Sequence, residues 1–177
     1  QGETSTRRMQ TLLKTFYDII LLRKGPEDLP SSVVLLAIAA LLWCLTFGLA
    51  YIAFDWLDST RLVIAASASM LAIAAYQFLL LITGRFARTL QTQTALIGCG
   101  SVISLVYIAL LVLSGRFGQQ VAIVFEIVAQ LVSLWSVPVK GHIIGRAIDV
   151  HWYVGIGIAG AVFILQYLFT ASFTSAQ

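Results

Sequence analysis

Long runs of apolar residues alternate with short polar segments along most of this chain. Five of the runs have about the 20 residues that an α-helix needs to cross the hydrocarbon of a bilayer. They lie at about residues 33–54, 62–83, 95–114, 119–139 and 151–171. The pattern predicts an all-α integral membrane protein with a single domain of five transmembrane helices over residues 33–171.

The segment before the first run has apolar residues at helical spacing, with polar residues between them. Residues 9–24 are too short and too charged to span a bilayer, and Arg23 and Lys24 close the segment. We predict an N-terminal amphipathic helix that lies in the membrane interface, while a helix packed on the protein itself fits the pattern about equally well. Residues 1–8 precede Met9, a candidate start, and are expected to be an added or disordered segment.

The composition agrees with lipid as the solvent for most of the chain. Hydrophobic residues make up 59% of the sequence and charged residues 11%, against about 25% charged residues in soluble domains. The formal net charge is +3. Because the basic residues flank the apolar runs and form no continuous patch, we do not expect nucleic acid to be a partner.

The distribution of lysine and arginine predicts an orientation. Of the eleven such residues, Arg61 and Arg116 fall in loops on one side, and the other nine fall on the side of the N-terminus. Since cytoplasmic loops are enriched in lysine and arginine, we predict a cytoplasmic N-terminus and an external C-terminus.

Glu126 is the most unusual single residue because it lies about seven residues inside the fourth run. A carboxyl group at that depth costs several kcal/mol unless it is neutral, paired or hydrated. Gln130 and Ser133 follow on the same helical face and form, with Glu126, an intramembrane polar stripe that should face protein or water. Three interpretations stay open: a proton or ion relay, a hydrogen bond to another helix, and a contact with another subunit. The candidate partners for the hydrogen bond are Gln77, Ser101, Ser104 and Gln166.

Four basic residues fall in the two loops on the predicted cytoplasmic side. They are Arg85, Arg88, Lys140 and Arg146. Such a basic inner surface can bind anionic lipid headgroups or an acidic partner. The simpler interpretation is that these residues set the topology, and it is the one that we favour.

The fifth run contains a glycine pattern that matches G-x-G-x-x-G at Gly155, Gly157 and Gly160. The dinucleotide fingerprint requires a strand before the glycines and a helix after them. Here the glycines lie inside a run of lipid-spanning length, so we reject a nucleotide site. Small residues at these spacings, including Ala161, favour close packing between helices.

No arrangement of residues in the sequence predicts catalysis, a metal or a cofactor. Ser/His/Asp and P-loop patterns are absent, and Cys44 and Cys99 are far apart. His142 and His151 are nine residues apart without acids or thiols at ligand spacing. We therefore expect a protein that is not an enzyme.

The order of features along residues 20–170 resembles the bacterial branch of the Yip1 family of five-span membrane proteins. The resemblance lies in Arg23-Lys24-Gly25-Pro26, in Gly84-Arg85-Phe86-Ala87-Arg88-Thr89-Leu90 leading into Thr94–Gly98, and in Leu134-Trp135 followed by His142–Ala147. It implies a scaffold of the bacterial inner membrane without catalytic residues.

These observations lead to two functional hypotheses. The first is a non-enzymatic scaffold or membrane-organising protein of the inner membrane, alone or as a subunit of a larger complex. Its expected partners are membrane lipids and either further copies of this chain or other membrane-protein subunits. The alternative is a small oligomeric transporter or channel that uses Glu126 as an intramembrane proton or ion site.

Overall fold

The computed structural model describes residues 2–54 and 58–174. The secondary structure in these ranges is helical, and no strand occurs in them. Six α-helices follow one another along the chain. They are α1 (Gly2–Ile20), α2 (Val33–Ala53), α3 (Ser59–Ile82), α4 (Thr89–Ser114), α5 (Gln119–Ala147) and α6 (Trp152–Thr174). Within the described ranges, the five helices α2 to α6 are long and apolar enough to cross a membrane. The predicted all-α class and the number of long apolar helices are therefore confirmed.

Two of these helices, α4 and α5, extend by five residues or more beyond the predicted spans. The run of residues 119–139 was expected to end near Pro138, but α5 continues to Ala147. A proline inside a helix removes one backbone hydrogen bond, which neighbouring helices compensate in an apolar protein. Similarly, α4 begins at Thr89 instead of residue 95 because Thr92 and Gln93, which are polar, are buried by the rest of the fold.

The N-terminal helix α1 packs on the protein itself, which was the alternative to an interfacial position. Thr15 and Ile19 are buried, and the Phe16 ring lies so close to Gly98 of α4 that a Cβ on this glycine would be 2.6 Å from it. α1 begins at Gly2 and so includes residues 2–8, which were expected to be an added or disordered segment. It ends at Ile20, before Lys24, because Leu22 adopts a positive φ and turns the chain.

The bundle has a near side, which carries the α3–α4 and α5–α6 connections, and a far side, which carries the α2–α3 and α4–α5 connections. α2, α4 and α5 pack side by side, and α6 packs along α5 and α3. α3 has few contacts with α2 or α4. The buried core lies in the near half of the bundle and includes Tyr76, Leu80, Leu96, Ile143 and Ile144.

α5 and α6 approach each other most closely near the near side. A Cβ on Gly141 would lie 2.6 Å from Cα of Ile156, and one on Gly155 would overlap the Gly141 carbonyl oxygen. Of the residues predicted to pack helices, Gly155 therefore lies at this crossing. The others do not, because the helical rotation turns them away: Gly157 and Gly160 have open space beside them, and Ala161 is exposed.

Candidate functional site

A cavity of about 640 Å³ lies between the helices and is lined by residues of all five long helices α2 to α6. The lining comes mainly from the middle and far parts of α2, α3, α4 and α6, and from the middle and near part of α5. It reaches Phe54 after α2 and Thr170 of α6. Toward the near side the cavity stops at the packed core, where Tyr76 is 3% exposed and Leu80 is fully buried. The cavity therefore has a closed floor on the near side.

Lys140 is the one charged residue among the described residues that line this cavity. It was predicted to lie on the basic inner surface, but this prediction is wrong. Because α5 continues past Pro138, Lys140 lies within α5 and borders the cavity at its floor. It forms no hydrogen bond or ion pair with any other residue in the described ranges. The cavity thus contains a basic side chain without a protein counter-charge.

Hydroxyl groups continue from Lys140 along the same face of α5. Ser136 and Ser133 precede the lysine by four and seven residues, which places them one and two turns away, and both line the cavity. Ser133 was predicted to share one face with Glu126 and Gln130. In the fold the three residues have different surroundings: Ser133 lines the cavity, whereas Glu126 and Gln130 do not.

The remaining walls are mostly apolar, with a large aromatic share. The aromatic lining residues are Trp43, Phe47, Phe54, Tyr76, Tyr107, Phe163 and Tyr167. Trp43 and Phe47 are in edge-to-face contact, with ring centroids 4.7 Å apart. Gln166 donates a hydrogen bond of 3.1 Å to the carbonyl of Ala68, which joins α6 to α3 across one wall.

Glu126 and Gln130 lie outside the cavity, on the exposed surface of α5. Gln130, Leu134 and Gly141 share one helical face; Gly141 is covered by Ile156, whereas Gln130 and Leu134 are exposed. α6 therefore moves away from this face of α5 toward the far side, so Glu126 and Gln130 are not covered by helices of the same chain, and the prediction that they face water or another protein subunit stays a prediction.

None of the four predicted partners contacts Glu126. Gln77 accepts a hydrogen bond from Gln93, Ser101 donates to the carbonyl of Ile97, and Gln166 donates to that of Ala68. Ser104 lines the cavity. Within the described part of the chain, Glu126 has no hydrogen-bond or ion-pair partner, so the interpretation as a hydrogen bond to another helix of the same chain is wrong.

The three arginines of the predicted basic surface meet acids at the near side. Arg85 pairs with Asp149 at 2.7 Å, and Arg88 pairs with the same carboxylate at 2.9 Å. Arg88 also donates hydrogen bonds to the carbonyls of Arg146 and Ala147. Arg146 pairs with Glu27 of the segment before α2. These ion pairs join separate connections and reduce the positive charge that is open to a partner.

Asp149 is central to this near-side network. Its φ of 56° ends α5, and the next amide, of Val150, donates to the carbonyl of Gly145 at 2.9 Å. The hydrogen bond from Arg88 lowers the pKa of Asp149, partial desolvation opposes it, and the charges of Arg85, Arg88 and Arg146 reinforce the lowering. Asp149 is therefore ionised over the physiological pH range.

Two further hydrogen bonds hold the segment between α1 and α2 against the same side. His142 lies 3.1 Å from the carbonyl of Lys24, and Gln91 donates to the carbonyl of Leu29 at 2.7 Å. No cluster of three or more potential metal ligands occurs among the described residues. The near side is thus closed by packing, hydrogen bonds and ion pairs.

Sequence reasoning missed the cavity, although one signal for it was present. Ser133, Ser136 and Lys140 have the spacing of one helical face, but the predicted helix end near Pro138 separated the lysine from the serines. Asp149 and Glu27 were overlooked because their arginine partners are distant in the sequence.

Comparisons with known proteins add no relative. Neither the family models nor the curated proteins nor the solved structures contain a match to this chain. The resemblance to the Yip1 family therefore stays a prediction.

Proposed function

We propose that this chain is an integral membrane protein that binds an anionic solute in the central cavity and carries it across the bilayer. The position of Lys140 is the observation that carries this proposal. Its side chain borders a cavity of about 640 Å³ and has no counter-charge among the described residues. The volume is within the range of about 300–1,000 Å³ that is usual for pockets of small organic ligands.

The physical argument is the cost of an unpaired charge in apolar surroundings. A lysine within a membrane helix is costly unless it is paired, hydrated or neutral, and such residues commonly mark the path of a substrate or ion. A bound anion would replace lost hydration and compensate the lysine charge. Hydroxyl groups of Ser133 and Ser136 can donate further hydrogen bonds to the same ligand.

The outer faces of the helices support insertion in lipid. Large apolar side chains are exposed on every long helix, among them Ile38, Val63, Val106, Ile127 and Ile164. In water such a surface would associate or aggregate. With the cytoplasmic N-terminus that the charge distribution predicts, the cavity would be accessible from outside and its floor would face the cytoplasm.

Transport requires that the near side opens while the far side closes. Arg88 with Asp149 and Arg146 with Glu27 connect segments that must separate in this motion. Ion pairs at a half-exposed surface are weak enough to break and re-form. They are suited to hold the closed near side without locking it.

This proposal differs from both hypotheses drawn from the sequence. The transporter hypothesis placed the charge at Glu126, whereas the cavity is bordered by Lys140 and Glu126 lies on the outer surface of α5. For a scaffold, no contact or surface of the described residues is specific evidence, and that function stays a prediction.

The test is flux of permanently charged anions into liposomes that contain the purified chain. Radiolabelled chloride, methanesulfonate and benzenesulfonate are suitable probes because they do not cross the bilayer as neutral acids. We expect uptake of at least one of them above the level of empty liposomes. Lys140→Met should reduce this uptake at least tenfold, since the anion loses its counter-charge.

Two variants control this experiment. Lys140→Arg keeps the charge and should retain uptake, and Lys14→Met removes an exposed lysine of α1 and should leave it unchanged. Uptake by Lys140→Met at the rate of the unaltered chain, or no uptake of any of the three probes, would refute the proposal.

A further inference from the structure

The chemistry of the cavity walls points to a class of ligand within the proposed function. We propose that the ligand is a monoanionic amphiphile, with one carboxylate-like or sulfonate-like head at Lys140 and an apolar body against the aromatic walls. This inference depends on the proposed function, because it assumes that the cavity binds an anion. It adds the number of charges and the nature of the remainder of the ligand.

The number of charges on the ligand follows from the single basic residue in the cavity lining. Lys140 is the one charged residue among the described lining residues, so one negative charge on the ligand is fully compensated. A second negative charge would be buried without a counter-charge, and this is costly in a cavity of low polarity. A dianion should therefore bind more weakly than a monoanion of the same size.

The position of the head follows from the uneven distribution of polar groups. Lys140, Ser136 and Ser133 occupy one stretch of α5 that is about 10 Å long. The head can be held by the lysine at the floor and by one of the hydroxyls. Trp43 and Phe47 belong to α2, a helix on another side of the cavity, and offer no charge to a ligand.

The apolar body of the ligand follows from the residues that line the rest of the cavity. Aromatic rings of α2, α4 and α6 and small residues such as Ala65, Ala68 and Gly100 line it. An inorganic anion would fill a small part of this space and would leave the apolar walls in contact with water. An alkyl or aromatic body removes that contact, and its burial contributes to affinity in proportion to its apolar area.

The opening of the cavity beside α6 leaves room for a body of variable length. Tyr167 lines the cavity and is nevertheless 69% exposed, so the cavity reaches the outer surface of the bundle beside α6. An amphiphile can reach the cavity from the bilayer or from the aqueous far side. Both sources offer the same ligand chemistry, an anionic head with an apolar body.

The experiment measures binding of a series of n-alkyl sulfonates, from methane- to octanesulfonate, to the full chain in nanodiscs. Empty nanodiscs correct for partitioning into lipid. We expect the affinity to rise about two- to fourfold per added methylene, because each buried CH₂ contributes a roughly constant amount. The alcohol of the same length should bind at least tenfold more weakly, and butane-1,4-disulfonate should bind more weakly than butanesulfonate.

Two substitutions separate the head from the body. Lys140→Met should reduce the affinity for every sulfonate by a similar factor and leave the alcohols unchanged. Gly100→Leu should fill the cavity from its wall, since a Cβ at Gly100 meets no atom within 4 Å. Gly100→Leu should weaken the binding of octanesulfonate at least tenfold more than the binding of methanesulfonate. Thermal unfolding should show that both variants are folded.

The outcomes distinguish this inference from the proposed function. Binding that depends on Lys140 but does not rise with chain length would overturn the amphiphile and leave anion binding intact. If no anion binds in a manner that depends on Lys140, both this inference and the proposed function are overturned. Mass spectrometry of the purified chain identifies the source: a fatty acid that copurifies with it, but not with Lys140→Met, would point to the bilayer, and binding without such a lipid would point to a ligand from solution.

Discussion

Gly141 of α5 and Gly155 of α6 lie in direct backbone contact, and neither position has room for a side chain. Gly141 follows Lys140 in the sequence, so the same crossing that joins the two helices also holds the lysine at the floor of the cavity. Toward the far side the two helices separate, which leaves Gln130 and Leu134 exposed. The close contact therefore lies at the closed end of the cavity.

This crossing predicts different effects for two similar substitutions in α6. Gly155→Ala should destabilise the fold by about 1–3 kcal/mol, because the new methyl group overlaps backbone atoms that cannot move away independently. Gly157→Ala should be neutral or slightly stabilising, since a Cβ there meets no atom within 4 Å. The measurement is thermal unfolding of the two variants in the same detergent. Equal unfolding temperatures would contradict the close crossing.

The near-side network predicts a loss of stability on acidification. Since the pKa of Asp149 is lowered in the folded chain, its contribution to stability is complete above the ordinary value of 3.8 and is lost as the pH falls through the lowered value. Thermal unfolding between about pH 5 and pH 2 should therefore show a decrease that Asp149→Asn reduces.

Substitutions of the two arginine partners provide a graded control. Arg88→Gln removes the hydrogen bond that contributes most to the lowered pKa, whereas Arg85→Gln removes a smaller electrostatic contribution. The pH dependence should weaken more in Arg88→Gln than in Arg85→Gln. The reverse order, or no change in either variant, would show that Asp149 is not held in this way.

The exposed position of Glu126 predicts that removal of its carboxyl group stabilises the protein. The residue is exposed on α5 and has no partner among the described residues, so in a bilayer it meets lipid or the edge of the headgroup region. Glu126→Leu should raise the stability by about 1–2 kcal/mol through the avoided desolvation of the carboxyl group. Glu126→Gln should leave anion uptake unchanged, in contrast to Lys140→Met.

Unfolding in nanodiscs and the mass of the purified assembly test this prediction together. A loss of stability in Glu126→Leu, accompanied by a smaller assembly, would instead support a contact of Glu126 with another subunit. Loss of uptake in Glu126→Gln would support the proton or ion relay. The two interpretations of Glu126 that stay open, the subunit contact and the relay, thus each have their own outcome.

Several details of the fold could not have been derived from one sequence. Thr92, Gln93 and Thr94 are polar and mark a loop by pattern, yet they are buried within α4. Their burial depends on α1, α3 and the segment before α2, which are remote in the sequence. Pro138 similarly marks a helix end by local rules, but tertiary packing continues α5 for nine more residues.

The candidate site was less predictable than the fold for the same reason. Arg88 and Asp149 are separated by 61 residues, and Arg146 and Glu27 by 119. No local pattern shows that such residues meet. Glu126 attracted attention because a carboxyl group is rare in an apolar run, while Lys140 attracted less because it was assigned to a loop.

The sequence by itself determined the number of long apolar helices, because the length of an apolar run and the spacing of polar segments are local properties. It also determined where charged residues concentrate, and hence the predicted orientation. Only the tertiary structure decided which faces of these helices meet. That choice depends on the close approach of Gly141 and Gly155 and on the packing of the near half, and it placed Lys140 in the cavity and Glu126 outside it.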